Sequence, residues 1–330
     1  MQFCCHGAWR AGTGCLRGGP ALGLGREKAM KRYAFALALV LVSGWLAAAH
    51  GGVDAGWQPL MDRLAADGLD RAFVERVFAG AGVDYEPSIM ARKVDAMVRK
   101  QFEPRPAPTK KTLEASNYRQ FLTPASIEAG VRYIRENRAA FDRAQREFGP
   151  PPELICAFLM VETKLGTYLG DQDALSVLAS LARASGLGQI APYMKTLRGD
   201  AERSAYADWA AKDRSEWGFR ELAALLRYAK AKGQGPGTIP GSIYGAIGIC
   251  QFMPSNALRF GVDGDNDGVL DLFTPTDAIV SVASYLRGHG WVPGMTSEQR
   301  DKVVYAYNHS ELYVLAVTTV AERLKARLGG

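Results

Sequence analysis

Apolar residues recur along this chain at steps of three and four rather than two. Between Val53 and Arg99, Leu60, Leu64, Phe73, Val77 and Phe78 keep that step, which predicts amphipathic helix. A polar, proline-broken stretch from Glu103 to Lys111 then marks a linker or a surface crossing. Thr123 can cap a helix and Pro124 suits its first turn, so the next helix is expected to start there and run to Phe148. Gly149-Pro150-Pro151-Pro152 stops it, and another helix begins near Glu153. Residues 183–213 give no single reading, because Gly186, Gly188, Pro192 and Gly199 interrupt helical fragments. Trp217 to Lys232 is again helical, Gly233 to Gly237 is a loop, and later helices are expected at 275–288 and 310–327. Strand-type alternation is nearly missing, so the predicted fold class is mainly α.

The first fifty residues change the picture. Met30-Lys31-Arg32 is a basic start, Tyr33 to Trp45 is an apolar run, and Ala47-Ala48-Ala49 offers small residues for cleavage. Residues 30–49 therefore read as a secretory signal peptide; an uncleaved anchor is the alternative, although a span needs about 20 apolar residues. No cysteine sits near the cleavage point, so lipidation is not expected. The expected location is the periplasm, with no stable membrane span after cleavage. Residues 1–29 lack periodicity and read as an upstream extension from a misplaced start. Of the net charge of +6, residues 1–49 carry +5, from six basic residues against Glu27. The exported chain is near neutral, and its charge gives no reason to expect a nucleic-acid partner. Only Cys156 and Cys250 remain beyond the leader. In an oxidising compartment they either pair or stay as separate buried thiols.

From Leu154 to Val161 nearly every residue is apolar, which buries that helix on most sides. Glu162 lies four residues after Phe158 and eight after Leu154, on the same face. Burial there disfavours the charged carboxylate and raises its pKa, as a general acid near neutral pH requires. A structural glutamate paired to Lys164 or a distant arginine is the competing reading.

Ordered motifs add to this. Val161-Glu162-Thr163-Lys164-Leu165-Gly166, the run Gly241 to Ser255 with its Gly-Ser start and Gln-Phe-Met-Pro-Ser end, Asp277 to Trp291, and Tyr307-Asn308-His309-Ser310-Glu311-Leu312-Tyr313 resemble the membrane-bound lytic transglycosylase B family. Tyr118 to Pro124 resembles an upstream element of it. The resemblance spans roughly residues 54–325. It implies a lysozyme-like helical core at residues 121–330 with an additional N-terminal helical domain at residues 50–120. It also implies an enzyme that cuts the β-1,4 bond between N-acetylmuramic acid and N-acetylglucosamine and leaves a 1,6-anhydro end. Peptidoglycan glycan strands would be the partner, and no cofactor would be needed for catalysis. Glu162 would be the catalytic acid/base, with Ser242 and Gln251 on the sugars or orienting it. Tyr118, Tyr285, Tyr307, Asn308 and Tyr313 would line the cleft, each tyrosine having core packing as its alternative. Gly245 and Gly248 would let the glycan approach the backbone. Asp213-Arg214-Ser215-Glu216-Trp217 departs from the family's Arg-Arg-Ala-Glu-Tyr, leaving Arg214 as one basic contact to the peptide stem or the lactyl carboxylate.

Asp263, Asp265 and Asp267, with a carbonyl from Val269, fall at the first ligand positions of an EF-hand-type loop. Thr274 stands where that loop wants Glu, and Asp277 is the expected closing carboxylate. A structural calcium ion over residues 263–277 is expected, against a solvated acidic turn. Two other functions stay open. A hydrolytic muramidase would use a second carboxylate, Asp171 or Asp173 being nearest in sequence, and a degenerate peptidoglycan-binding protein would use none.

Overall fold

A computed structural model describes residues 54–329. The upstream extension and signal-peptide segment at residues 1–49 lie outside the described residues. The described residues are mainly helical, and the only paired strands among them are two residues long.

The N-terminal helices are α1 (Gln58–Ala66), α2 (Arg71–Gly80), α3 (Pro87–Phe102) and α4 (Lys110–Ala115). Then come α5 (Pro124–Glu136), α6 (Arg138–Phe148) and α7 (Pro152–Thr163). The expected helix from Thr123 to Phe148 is thus two helices. Asn137 takes a non-helical backbone conformation between them, and its side-chain amide donates to Tyr133 O at 2.9 Å. The amphipathic pattern continues across that break, which hid it. Thr123 does cap α5, accepting from Ser126 N at 3.2 Å. Gly149 ends α6 at φ 98°, which only glycine adopts without strain.

After α8 (Ala174–Arg183), the region without a clear reading, 183–213, resolves into the single turn α9 (Leu187–Ile190) and the start of a long helix, α10 (Ala201–Lys232). Asp200 caps α10 by accepting from Glu202 N and Arg203 N. Gly218 lies inside α10 where it crosses α8. A Cβ there would sit 2.8 Å from Leu181 Cβ, so the small residue permits the close approach. Asp95 on α3, 3% exposed, accepts from Lys195 N, Thr196 N and Thr196 Oγ1, pinning the irregular stretch to α3.

The remaining helices are α11 (Pro254–Phe260), α12 (Pro275–Gly288), α13 (Ser297–Tyr307) and α14 (Glu311–Leu328). α13 was not evident from the sequence. A capping box between Thr296 and Gln299 starts it.

α7 is the central element: every residue from Leu154 to Thr163 is buried. α14, α5 and α12 pack around it, while α3, α8 and α10 form a second layer. Of the N-terminal helices, α3 packs on α8 and α10, and α4 packs on α14. β1 (Gln172–Asp173) and β2 (Pro240–Gly241) pair antiparallel and tie the chain after α7 to the loop 241–252.

Candidate active site

The end of α7 is held in an unusual conformation. Lys164, Leu165 and Gly166 all have positive φ, at 51°, 62° and 86°. Lys164 N donates to Met160 O and Leu165 N to Leu159 O, which closes the helix with a left-handed turn. Two of those residues carry a Cβ, and such strain is kept where the surroundings over-determine it. Here Thr163 does so. Its hydroxyl donates to Ile249 O at 2.7 Å and accepts from Gly166 N at 2.9 Å. The last turn of α7 is thereby locked to the loop 241–252.

Glu162 sits in that turn, 6% exposed. No lysine or arginine pairs with it among the described residues, and Lys164 points outward as an exposed residue. Its hydrogen-bond partner is Tyr313 of α14, whose hydroxyl donates to Glu162 Oε1 at 2.6 Å. Burial pushes the carboxyl up to about 7, against the opposing pull of the Tyr313 hydrogen bond. An acid of this kind holds its proton at neutral pH and can still release it.

Aromatic rings surround it. Tyr118 meets Tyr313 edge-on at 6.4 Å, and Tyr307 lies parallel to Tyr313 at 6.4 Å. Phe158, one turn below Glu162 on α7, packs 4.6 Å from Tyr307. The Tyr307 hydroxyl donates to Cys250 O and so carries its ring on the loop 241–252. Glu162, Tyr118, Tyr307 and Tyr313 are therefore brought together from four elements.

Ser242 and Gln251 stand at the two ends of that loop. Ser242 Oγ accepts from Tyr244 N at 3.3 Å and Ala246 N at 3.1 Å, which closes the first turn. Gln251 is left-handed, at φ 50°, and its side-chain amide donates to Gly248 O at 3.0 Å and Leu169 O at 3.4 Å. It bridges the loop to the segment after Glu162. Asn308 follows α13, and its side chain makes no hydrogen bond among the described residues.

Several of the expected residues are engaged elsewhere. Tyr285 is 4% exposed, stacks on His289 at 3.9 Å and donates to Ala306 O at 2.9 Å. It supports Phe252 and Tyr307 from behind rather than lining a cleft, because α12 turns that face into the core. Gly245 and Gly248 also face inward. A Cβ at Gly245 would meet the Leu178 side chain at 2.5 Å, and one at Gly248 would meet Leu272 at 2.6 Å. They serve loop packing, at φ 83° and 74°. Arg214 folds back on its neighbour Asp213 in an ion pair, so its guanidinium is already engaged. Asp173 is likewise committed, capping α8 through Leu175 N and Ser176 N.

In the acidic loop, ligand-type oxygens of Asp263, Asp265 and Asp267 lie within 4.8 Å of one another. Asn266 at φ 61° and Gly268 at φ 93° make the turn that gathers them. Backbone amides, Gly268 N foremost, hold the Asp263 carboxyl below its usual range. Asp277 does not join the cluster. It is 1% exposed, and its two oxygens accept from Gly264 N at 2.8 Å and Asp271 N at 2.7 Å. It anchors the loop's backbone instead of closing the ring of ligands. Val269, half exposed, donates its N–H to Asp267 Oδ1 at 2.8 Å. Cys156 and Cys250 are both free and buried, which resolves their alternatives in favour of separate thiols.

Fold and site together define a lysozyme-like helical protein with one buried, proton-holding carboxyl at the end of its central helix. Residues 52–301 match the family described as Transglycosylase SLT domain, and the chain belongs to it. It is 31% identical over 244 residues to membrane-bound lytic murein transglycosylase B of Escherichia coli (strain K12). That match covers 72% of this chain and 58% of the relative, so the chain spans little more than half of that relative's length. Two solved structures share the fold. The Escherichia coli lytic transglycosylase SLT35 in complex with calcium has a TM-score of 0.62 at 22% identity, covering 83% of this chain and 93% of that one. SltB3 from Pseudomonas aeruginosa in complex with NAG-anhNAM-pentapeptide has a TM-score of 0.60 at 20% identity, covering 81% and 78%. No helix among the described residues is long and apolar enough to cross a membrane.

Proposed function

We propose that this chain is a peptidoglycan lytic transglycosylase, exported to the periplasm by the segment 30–49. The observation that carries the reading is the buried Glu162 with a phenol, not a cation, as its partner. An ion-paired glutamate would be fixed as a base; this one begins as an acid.

Protonated Glu162 donates to the glycosidic oxygen between N-acetylmuramic acid and N-acetylglucosamine, and the bond to the anomeric carbon breaks. The carboxylate so formed accepts the proton of the muramyl O6 hydroxyl while O6 attacks that carbon. One side chain serves both steps because the nucleophile comes from the substrate, so the second carboxylate of an ordinary glycosidase is unnecessary. The Tyr313 hydroxyl, 2.6 Å from Oε1, stabilises the carboxylate between the steps. Tyr118 and Tyr307 offer aromatic faces to the sugars, and Ser242, Gln251 and Asn308 offer polar contacts. The family membership and the muropeptide bound by SltB3 support this substrate class.

The loop 263–269 suits a calcium ion. Its three converging carboxylates and the Val269 carbonyl are hard oxygen donors, the type calcium takes. The ion would fix a loop packed below α12 and have no part in the chemistry.

Mass spectrometry of digested peptidoglycan tests the proposal. Each cut should yield a muramyl end lighter by one water than a hydrolytic product. Ends with the full mass of water added would replace the reading with a muramidase, and no cleavage at all would leave a binding protein.

A further inference from the structure

The loop 241–252 is tied to the last turn of α7 on one side. On its other side it meets the segment that follows the acidic loop, and Leu272 is the point of contact. The Leu272 carbonyl accepts from Ile249 N at 2.8 Å, and its N–H donates to the hydroxyl of Tyr228 on α10 at 3.2 Å. A Cβ at Gly248 would sit 2.6 Å from Leu272 O, so the glycine lets the two backbones close up. Ile249 O in turn accepts from the Thr163 hydroxyl at 2.7 Å, and Thr163 Oγ1 accepts from Gly166 N at 2.9 Å. One hydrogen-bonded chain therefore runs from α10 through Leu272 and Ile249 to the residue beside Glu162. Tyr228, Leu272, Ile249 and Thr163 are all buried, so water cannot stand in for a missing link. Burial also holds the Tyr228 hydroxyl as a neutral phenol well past neutral pH.

We propose that Tyr228 is a positioning residue for the reaction: its hydroxyl fixes the Leu272 peptide and, through Ile249 and Thr163, the place of the Glu162 carboxyl. The inference rests on the reading of Glu162 as the acid. A buried N–H that loses its partner has no water to turn to, so without the hydroxyl the Leu272 peptide shifts. Ile249 moves with it, because Leu272 O is the acceptor of its N–H. The turn after Glu162 is poorly placed to resist. Lys164 and Leu165 are left-handed, at φ 51° and 62°, a conformation kept only while Thr163 and its partners impose it. A catalytic group misplaced by about 1 Å loses on the order of 10²-fold in rate, and a shift of a few tenths of an ångström costs correspondingly less.

The test is steady-state turnover of soluble peptidoglycan strands by the full chain, read well below the lowest unfolding midpoint of the set. Tyr228→Phe, and independently Tyr228→Met, should lower kcat by about fivefold to tenfold and leave KM within about twofold. Thr163→Val cuts the link nearest Glu162 and should lower kcat by about 30-fold, whereas Thr163→Ser keeps the hydroxyl and should stay within about threefold of wild type. Links of one chain do not add, so Tyr228→Phe placed on Thr163→Val should cost less than about a further twofold. Ser180→Ala controls for general loosening. It deletes a buried hydroxyl of the same kind, which accepts from Glu86 N at 2.9 Å and donates to Asp84 O at 3.1 Å. Its kcat should stay within about twofold of wild type. The proposal is overturned by Tyr228 variants that keep the wild-type kcat, by a loss confined to KM, by losses that multiply in the double variant, or by a Ser180→Ala loss as large as that of Tyr228→Phe. In each of these cases an inactive Glu162→Gln leaves the reading of Glu162 standing. If Glu162→Gln cleaves as fast as the wild type, that reading fails and this one with it.

Discussion

Glu162 is 6% exposed and accepts one hydrogen bond, from a phenol, whereas Asp263, Asp265 and Asp267 gather at the surface with oxygens within 4.8 Å of one another. Both are carboxyl groups on the same chain, yet their surroundings push them opposite ways. Loss of water raises Glu162 to about 7, while backbone N–H groups lower Asp263. The first is made to hold a proton and the others to hold negative charge. Asp277 stands between the cases: it is as dry as Glu162, but backbone amides satisfy both of its oxygens. Dryness alone therefore does not make a general acid. A spare oxygen and a removable proton are also required, and among these residues the geometry reserves them for Glu162.

The sharpest way to break that contrast is Glu162→Gln. Turnover of peptidoglycan should fall by roughly 10³-fold or more, measured as soluble product released, while glycan binding persists. Stability should move the other way. The folded chain holds the Glu162 proton more tightly than the unfolded chain does, since about 7 exceeds the ordinary 4.5. Wild-type stability is therefore lost as pH rises from about 4.5 through 7. The Gln variant lacks this loss. Denaturant unfolding should find it no more stable near pH 4 and more stable above pH 7, by up to about 3 kcal/mol. Equal stability at both values would mean that Glu162 is already ionised in the folded chain.

Asp277→Asn tests the intermediate case. An amide can accept through one atom only, so a backbone N–H of Gly264 or Asp271 loses its buried partner. The expected cost is about 3 kcal/mol in chemical unfolding. A change under about 0.5 kcal/mol would show that the anchor carries little of the loop's order.

How much of this was legible in the sequence follows the same division. Glu162 and the three aspartates were readable because their surroundings are local: an apolar run one turn before the glutamate, and acids two residues apart in a turn. Tyr285 and the glycines at 245 and 248 were misplaced because their contacts are remote. Ala306, His289, Leu178 and Leu272 decide which way they face, and no periodicity in the loop reports it. Gly218 gave no signal in the sequence that it is the point where α10 can approach α8. Tyr228 was equally silent, since the peptide that its hydroxyl holds lies 44 residues further along the chain.

Calcium probes the wet side of the comparison. With the affinity usual for extracellular loops, about 10⁻⁴ to 10⁻³ M, ten millimolar calcium should raise the unfolding midpoint by roughly 3–6 °C. Asp265→Asn should remove most of that gain, as it deletes a charge without disturbing the core. Magnesium at the same concentration should do less, because it gives up its water reluctantly. A midpoint indifferent to calcium would leave the cluster as a solvated turn.

Tyr313→Phe is the finest adjustment, because it keeps the ring that packs on Tyr307 and Phe158 and removes only the hydroxyl. That hydroxyl donates to Glu162 and works against the effect of burial, favouring the carboxylate. Without it the carboxyl should rise further, and the alkaline limb of the rate profile should move up by as much as about one pH unit. The rate on the plateau should fall less than about tenfold, through loss of support for the carboxylate that forms when the proton leaves. These two effects oppose each other above neutral pH, so the variant should approach or overtake the wild type there while trailing it at pH 5. A limb that moves down instead would mean that the phenol holds the proton on Glu162, and that burial alone does not explain why this acid stays uncharged.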